Sequence, residues 1–398
     1  MVTLLSLAET LTTISKHYQD YVTQVRRHLH QYPELGWQEK KTLSFLQNEV
    51  SQIVKKSRFS WSIEEKKGGL VVDITHNPTY DTILLRADID ALPIQEETGL
   101  SFTSKHPGIM HACGHDCHAA ILLGALKAIC EHTLPLQHNL RFVWQRAEEN
   151  LLTDSGAAAL IQEGVLKNIA KVYGLHITSK EDLGCFVSRP GPLMSNSTHI
   201  RFKIKCLGGH VMNPDKGSNA IDIMTDIHSH LRGLILSLLG PKEPVSFVPS
   251  VSHAGMAPNI MPSQAYAIYS FRNFLSLEKR NRFIHQLKER VLSLIRLYAD
   301  ASLESFECCP GYPILENHPD DYELSRQMLL DNGCHVATTR LMFSGEDFSY
   351  YLQKCPGCFW LLGAAQGACY DHHTSFFSPS EEVFWQGVLF WLTLATSA

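Results

Sequence analysis

Within nine residues, 110–118 (MHACGHDCH), the sequence places three histidines and two cysteines immediately before an alanine-rich stretch, 118–131 (HAAILLGALKAICE), with the composition of a packed helix. Imidazole and thiolate are the protein ligands that zinc and similar borderline metals prefer, and a helix start offers them a fixed platform. Two further features suit metal-assisted hydrolysis. The pair Glu148-Glu149 follows the strand-like run 139–144 (NLRFVW). Adjacent residues at a strand end point in different directions, so one carboxylate can hold a metal while the other faces a water. A metal lowers the pKa of such a water towards ~7, and the free carboxylate can accept its proton and pass it to a leaving amine. Asp88 and Asp90 follow 82–87 (TILLRA), and His176 follows 171–175 (KVYGL).

These acids and histidines fall at the carboxyl ends of three predicted strands, the edge where open α/β sheets bind ligands. The first half alternates strand-like runs with helical periodicity, which predicts an α/β domain with a mainly parallel central sheet. Punctuation changes at 188–192 (SRPGP). Beyond it come a strand at 199–206, a helix at 220–239, strands at 245–253 and 264–272, and a helix at 277–298. This order predicts a smaller α+β domain, residues 190–307, inserted into a catalytic domain formed by residues 1–189 and 308–398.

The chain has 398 residues, enough for two domains. Its 35 basic and 40 acidic residues give a net charge of −5 without long runs of one sign, which argues against nucleic acid or an anionic membrane as partner. The opening MVTLLSLAETLTTISKHYQD reads as an amphipathic helix rather than a signal peptide, and no run of 18 apolar residues follows. Eleven scattered cysteines fit a reducing, cytoplasmic setting. Cys355-Pro-Gly-Cys358 has redox spacing but no strand-to-helix turn around it, so it reads as two buried thiols.

Taken together, the chemistry-bearing segments resemble the M20 family of metallopeptidases, in its amidohydrolase branch of aminoacylases, hippurate hydrolases, auxin-conjugate hydrolases and N-acetyl-diaminopimelate deacetylases. The resemblance rests on 26–36 (RRHLHQYPELG), 86–93 (RADIDALP), 111–116 (HACGHD), 147–149 (AEE), 174–176 (GLH), 208–210 (GGH), 344–349 (SGEDFS) and 372–373 (HH), in the family's order. It implies that Cys113, His115, Glu149, His176 and His372 bind two divalent ions, Zn²⁺ or Mn²⁺ with Co²⁺ or Ni²⁺ as further candidates. His372 is taken over His373 because it stands four residues before Phe376. Glu148 is then the general base, Asp88 or Asp90 orients a ligand, and His210 polarises the scissile carbonyl. Asn259 and Arg272 contact the substrate carboxylate.

The activity so implied is hydrolysis of the amide bond of an N-acyl amino acid or short peptide by a homodimer joined through the insert, which acts as a lid. A dipeptidase or aminopeptidase of the same superfamily is the alternative, and a metal-binding relative without turnover is a third reading that Glu148 argues against. Arg146 and Asn150 stand where the family commonly has proline and glycine, and 211–214 (VMNP) is unusual after the lid histidine. Both departures bear on substrate choice.

Overall fold

A computed structural model describes residues 6–150, 155–365 and 370–397. It divides into two compact units, one of residues 1–193, 315–340 and 346–398, the other of residues 194–314 and 341–345. No helix among the described residues is long and apolar enough to cross a membrane.

The first unit opens with helices α1 (Leu7–His17), α2 (Gln19–Gln31) and α3 (Lys40–Val54). Ser6 and Glu9 form a capping box at the start of α1, which satisfies two helix-end donors reciprocally. Strands β1 (Ser60–Lys66), β2 (Gly69–Thr75) and β3 (Thr82–Asp88) lead to helix α4 (His115–Glu131), followed by β4 (Asn139–Gln145), α5 (Gly156–Gln162), β5 (Ile169–Thr178) and β6 (Cys185–Ser188). The second unit supplies β7 (Asn196–Lys205), α6 (Ala220–Leu239), β8 (Val245–Ala254), β9 (Gln264–Asn273), α7 (Leu277–Ile295) and β10 (Ser302–Pro310). The first unit resumes with α8 (Pro319–Asp331), β11 (His335–Thr338), β12 (Gly357–Gly363) and α9 (Phe384–Thr396).

Its eight-stranded sheet has the order β1-β2-β4-β3-β5-β12-β6-β11. The four central strands β4, β3, β5 and β12 run parallel, so the ends of β3, β4 and β5 share one edge. Apolar side chains fill both faces of β3, as a doubly covered parallel strand requires. Helix α4 is buried almost throughout, because its alanines and leucines are apolar on every side. Gly124 brings α4 against α2: a Cβ there would lie 2.4 Å from Val22 Cγ2.

The second unit is a four-stranded antiparallel sheet, β8-β9-β7-β10, with α6 and α7 packed on one face through Ile200, Phe202, Ile204, Ile223, Ile227, Phe283, Leu287 and Val291. A two-stranded ribbon, Gly209–His210 with Ile260–Met261, accompanies it. The expected junction at 307/308 falls inside β10, which pairs with β7 from Ser302 opposite Lys205 to Pro310 opposite Thr198. That ladder holds the chain in the second unit past the point where the cysteine pair and proline suggested a return. Cys355 and Cys358 are buried free thiols, and burial pushes Cys355 up to about 11 and Cys358 higher still, the reverse of a reactive redox pair.

Candidate active site

Gly114 caps α4 at φ +93°, a conformation that suits glycine, and places Cys113 just ahead of the helix and His115 on its first turn. The carboxyl edge of the sheet delivers the rest. Cys113 Sγ lies 3.5 Å from His176 Nε2. His176 sits inside β5, which runs three residues beyond the predicted end, and its Nδ1 faces the Ile177 carbonyl at 2.6 Å. That contact leaves Nε2 turned to the thiol. Cys113, His115 and His176 form one group with donor atoms within 4.8 Å of one another, and His115, Glu148 and Glu149 form a second.

The glutamate pair lies beyond the last residue of β4, so the turn, rather than strand alternation, sets the two directions. Ala147 adopts φ +51°. This left-handed geometry is held by buried Glu39, whose Oε1 accepts the Ala147 N–H at 2.8 Å while Oε2 receives Arg146 Nε at 2.9 Å. Glu148 Oε1 accepts the Asp347 N–H at 3.3 Å, and the Glu149 N–H donates to Asp90 Oδ2 at 2.9 Å.

Asp90 and Asp88 bond different histidines, although Asp88 Oδ2 also lies 3.7 Å from His115 Nε2. Asp90 Oδ1 is 3.1 Å from His115 Nδ1, so the one carboxylate orients both His115 and the Glu149 backbone. Asp88 Oδ1 is 2.5 Å from Nδ1 of His118, whose Nε2 accepts the Ile177 N–H at 2.8 Å. Glu39, Arg86, Glu346 and Asp347 carried no role in the sequence reading, and His118 entered it only as one of the three histidines of 110–118. Arg86 bonds Asp88 at 2.6 Å and Asp347 at 2.6 Å and pairs with Glu346 at 3.1 Å. For Arg86, Glu346 and Asp347 the signal was present, since RADID and SGED contain them, but a motif does not state which of its acids meet.

The terminal histidine differs from expectation. His373, and not His372, joins Cys113 and Glu149 in a donor group, with Nε2 2.9 Å from Glu149 Oε1. His372 turns its Nε2 to the Ile177 carbonyl at 3.0 Å. Each histidine stands four residues before a phenylalanine, and burial discriminates between them. Phe377 is fully buried against Met110 and Ala112, whereas Phe376 is exposed. The His373 N–H also donates to the Ala112 carbonyl at 2.8 Å, tying this loop to the segment before Cys113.

Burial, reinforced by Glu346, Glu149, Asp347 and Asp90, holds the Glu148 carboxyl well above its usual range. Burial and the charges of Glu149, Glu148 and Asp88 likewise raise the Cys113 thiol. Burial opposes charge on His115, but Asp88 and Asp90 overcome it and raise the imidazole to about 10. Burial and neighbouring His118 and His372 press His176 far below 6.5, so it is neutral and free to donate a lone pair. Buried His115 Nε2 makes no hydrogen bond, and Glu149 Oε1 meets the His373 ring. Carboxylates outnumber cations here, and an unsatisfied imidazole nitrogen stands near a thiol and a glutamate oxygen. This set fits divalent cations.

In the second unit the ribbon brings His210 and Asn259 together: His210 pairs with Ile260, and the Val211 N–H donates to the Asn259 carbonyl at 3.3 Å. Both residues are exposed. Arg272 lies on β9 opposite Ser197.

Site chemistry and ancestry converge on a metal-dependent hydrolase of C–N bonds. Residues 84–397 match the model of peptidase family M20/M25/M40, and the chain belongs to that family. It is 31% identical over 393 residues to thermostable carboxypeptidase 1 of Saccharolobus solfataricus, covering 97% of each chain. It is 33% identical over 354 residues to N-acetyl-L-cysteine deacetylase of Bacillus subtilis, covering 88% of this chain and 82% of that one. A solved dinuclear metal-binding peptidase of the M20 family from Bacillus subtilis superposes with a TM-score of 0.79 at 27% identity, over 96% of this chain and 98% of the other.

Proposed function

We propose that the protein hydrolyses the amide bond of N-acyl amino acids or short acylated peptides with two divalent ions. The observation that carries this reading is the chain of overlapping donor groups that links Cys113, His115, His176, Glu149 and His373, which Glu148 joins through His115 and Glu149. In this reading those five residues are the ligands, with His373 in the place first given to His372. Bound ions of this kind supply Lewis acidity to a carbonyl and lower the pKa of water towards ~7.

The remaining steps belong to the chain's own groups. Glu148 takes a proton from the attacking water as a carboxylate and, as the carboxyl so formed, delivers it to the leaving amine nitrogen. Asp90 fixes His115 and the Glu149 backbone, and Asp88 fixes His118. The family resemblance gives His210 the carbonyl-polarising role and gives Asn259 and Arg272 the substrate carboxylate, for which a guanidinium fork is well shaped. The names of the N-acetyl-L-cysteine and N-acetyldiaminopimelate deacetylase relatives support acylated substrates.

Elemental analysis of reconstituted protein tests the proposal. Wild type and His372→Ala should bind two ions per chain, and His373→Ala should lose one or hold it at least about tenfold more weakly. A reproducible maximum of one ion in wild type overturns the two-ion reading. Parallel assays of N-acetyl, N-benzoyl and free dipeptide substrates with Zn²⁺, Mn²⁺, Co²⁺ and Ni²⁺ test the chemistry.

A further inference from the structure

The insert carries a run of positive charge that the ligand set does not use. Along β7, Ile200, Phe202 and Ile204 pack into the helix-covered core. Alternation therefore turns His199, Arg201, Lys203 and Lys205 to the opposite sheet face. On the neighbouring strand Arg272 lies opposite Ser197, and Ser270 opposite His199, so Arg272 sits one diagonal step from His199 and in line with Arg201 beyond it.

The outer part of this run is neutralised locally, since Lys203 pairs with Glu304 at 3.0 Å. The inner part is not. Among the described residues no ion pair or side-chain hydrogen bond joins Arg272, His199 or Arg201, and both His199 Nε2 and Arg201 Nε are buried without a partner. Glu307 stands opposite Arg201 in the register without forming an ion pair. Space has been left for the Arg272 head group: a Cβ on Gly345 would lie 3.0 Å from its Nη1. Burial lowers Arg272 in the absence of a nearby acid, and burial with the charges of Arg272 and Arg201 lowers His199. Arg272 and Arg201 both bear on His199, and a bound anion supplies the counter-charge and hydrogen bonds that these partly desolvated groups lack.

We propose that this face is a two-point anion site, in which Arg272 takes the α-carboxylate of the substrate and Arg201 with His199 takes a second carboxylate on its side chain. The substrates are then N-acylated acidic amino acids of the N-acyl-glutamate or N-acyl-aspartate type. This inference rests on the proposed role of Arg272 as carboxylate anchor, and it adds Arg201 and His199 as determinants of specificity.

The test compares N-acetyl-L-glutamate with its near-isostere N-acetyl-L-glutamine on the metal-loaded full chain, by steady-state kinetics and by calorimetric titration, so that binding is read even without turnover. Wild type should favour the glutamate compound at least about tenfold, the worth of one charge-assisted contact. Arg201→Met should lower kcat/KM for the glutamate compound about tenfold, through KM, and change the glutamine compound less than about twofold. Arg201→Lys should keep the preference, which a purely structural loss would not allow. Equal use and equal binding of the two compounds by wild type, or equal losses for both in Arg201→Met, overturn the inference. If Arg272→Met weakens both compounds while Arg201→Met is silent, the anchor stands and the second carboxylate site falls. If Arg272→Met is silent as well, the anchor falls with it.

Discussion

Two regions of the molecule present functional side chains in opposite ways. At the carboxyl edge of the parallel sheet, His115, Glu148, Asp88 and Asp90 are buried, and each is fixed by a second group: Asp90 for His115, the Asp347 N–H for Glu148, Arg86 and His118 for Asp88. On the insert ribbon, His210 and Asn259 are exposed, and the contact recorded for the His210 ring is with the Met212 N–H at 3.2 Å, on a residue that is itself 80% exposed. Buried, cross-braced groups hold geometry before a ligand arrives, whereas exposed ones must be ordered by it. The comparison separates a preorganised centre from residues whose contribution depends on the ligand.

The largest expected effect breaks the comparison at its rigid end. Glu148→Gln keeps the shape of the side chain and removes the proton acceptor. Turnover should fall by at least ~10²-fold with both ions retained. Loss of metal from this variant, with Glu149→Gln keeping both ions, would exchange the roles of the two glutamates. Somewhat smaller is the effect at the exposed end. His210→Ala should lower kcat by roughly 10²-fold, the worth of an oxyanion donor, while metal content and melting temperature stay unchanged. A lowered melting temperature with normal turnover per folded molecule would make His210 a packing residue. The smallest effect sharpens the comparison: Arg146→Ala leaves Glu39 bonded to Ala147 but removes its guanidinium partner. Activity should drop only a few-fold, and the variant should melt a few degrees lower, in line with about 1–3 kcal/mol for a buried charge left without its partner. No change in either would mean that the Ala147 turn holds itself.

Much of this architecture was legible in the sequence because period and spacing record it. The run TILLRA, the alanine-rich helix and the glutamate pair each placed an element close to where it lies, and helix α6 spans the predicted residues 220–239. What was hidden depends on contacts between distant segments. Two adjacent histidines each preceded a phenylalanine by four residues, and only the burial of Phe377 distinguishes them. Glu39 belongs to none of the segments that carried the sequence reading. Its function appears only when the turn beyond β4 reaches it, 108 residues further on. The junction near Cys308 was obscured because a strand that continues its ladder reads the same as one that leaves it.

The brace on Ala147 has a consequence for inheritance. Every candidate ligand lies between residues 113 and 373, yet Glu39, and the Arg26 and His30 that hold Asp116 at 2.8 Å each, lie before that span. A gene fragment encoding that span alone would pass on a complete set of ligands together with an Ala147 N–H that has lost its acceptor and a buried Asp116 stripped of its cations. The smallest heritable unit of this centre therefore reaches back into helix α2 and the turn after it, so an exchange of those early residues alone disturbs the site without altering one ligand.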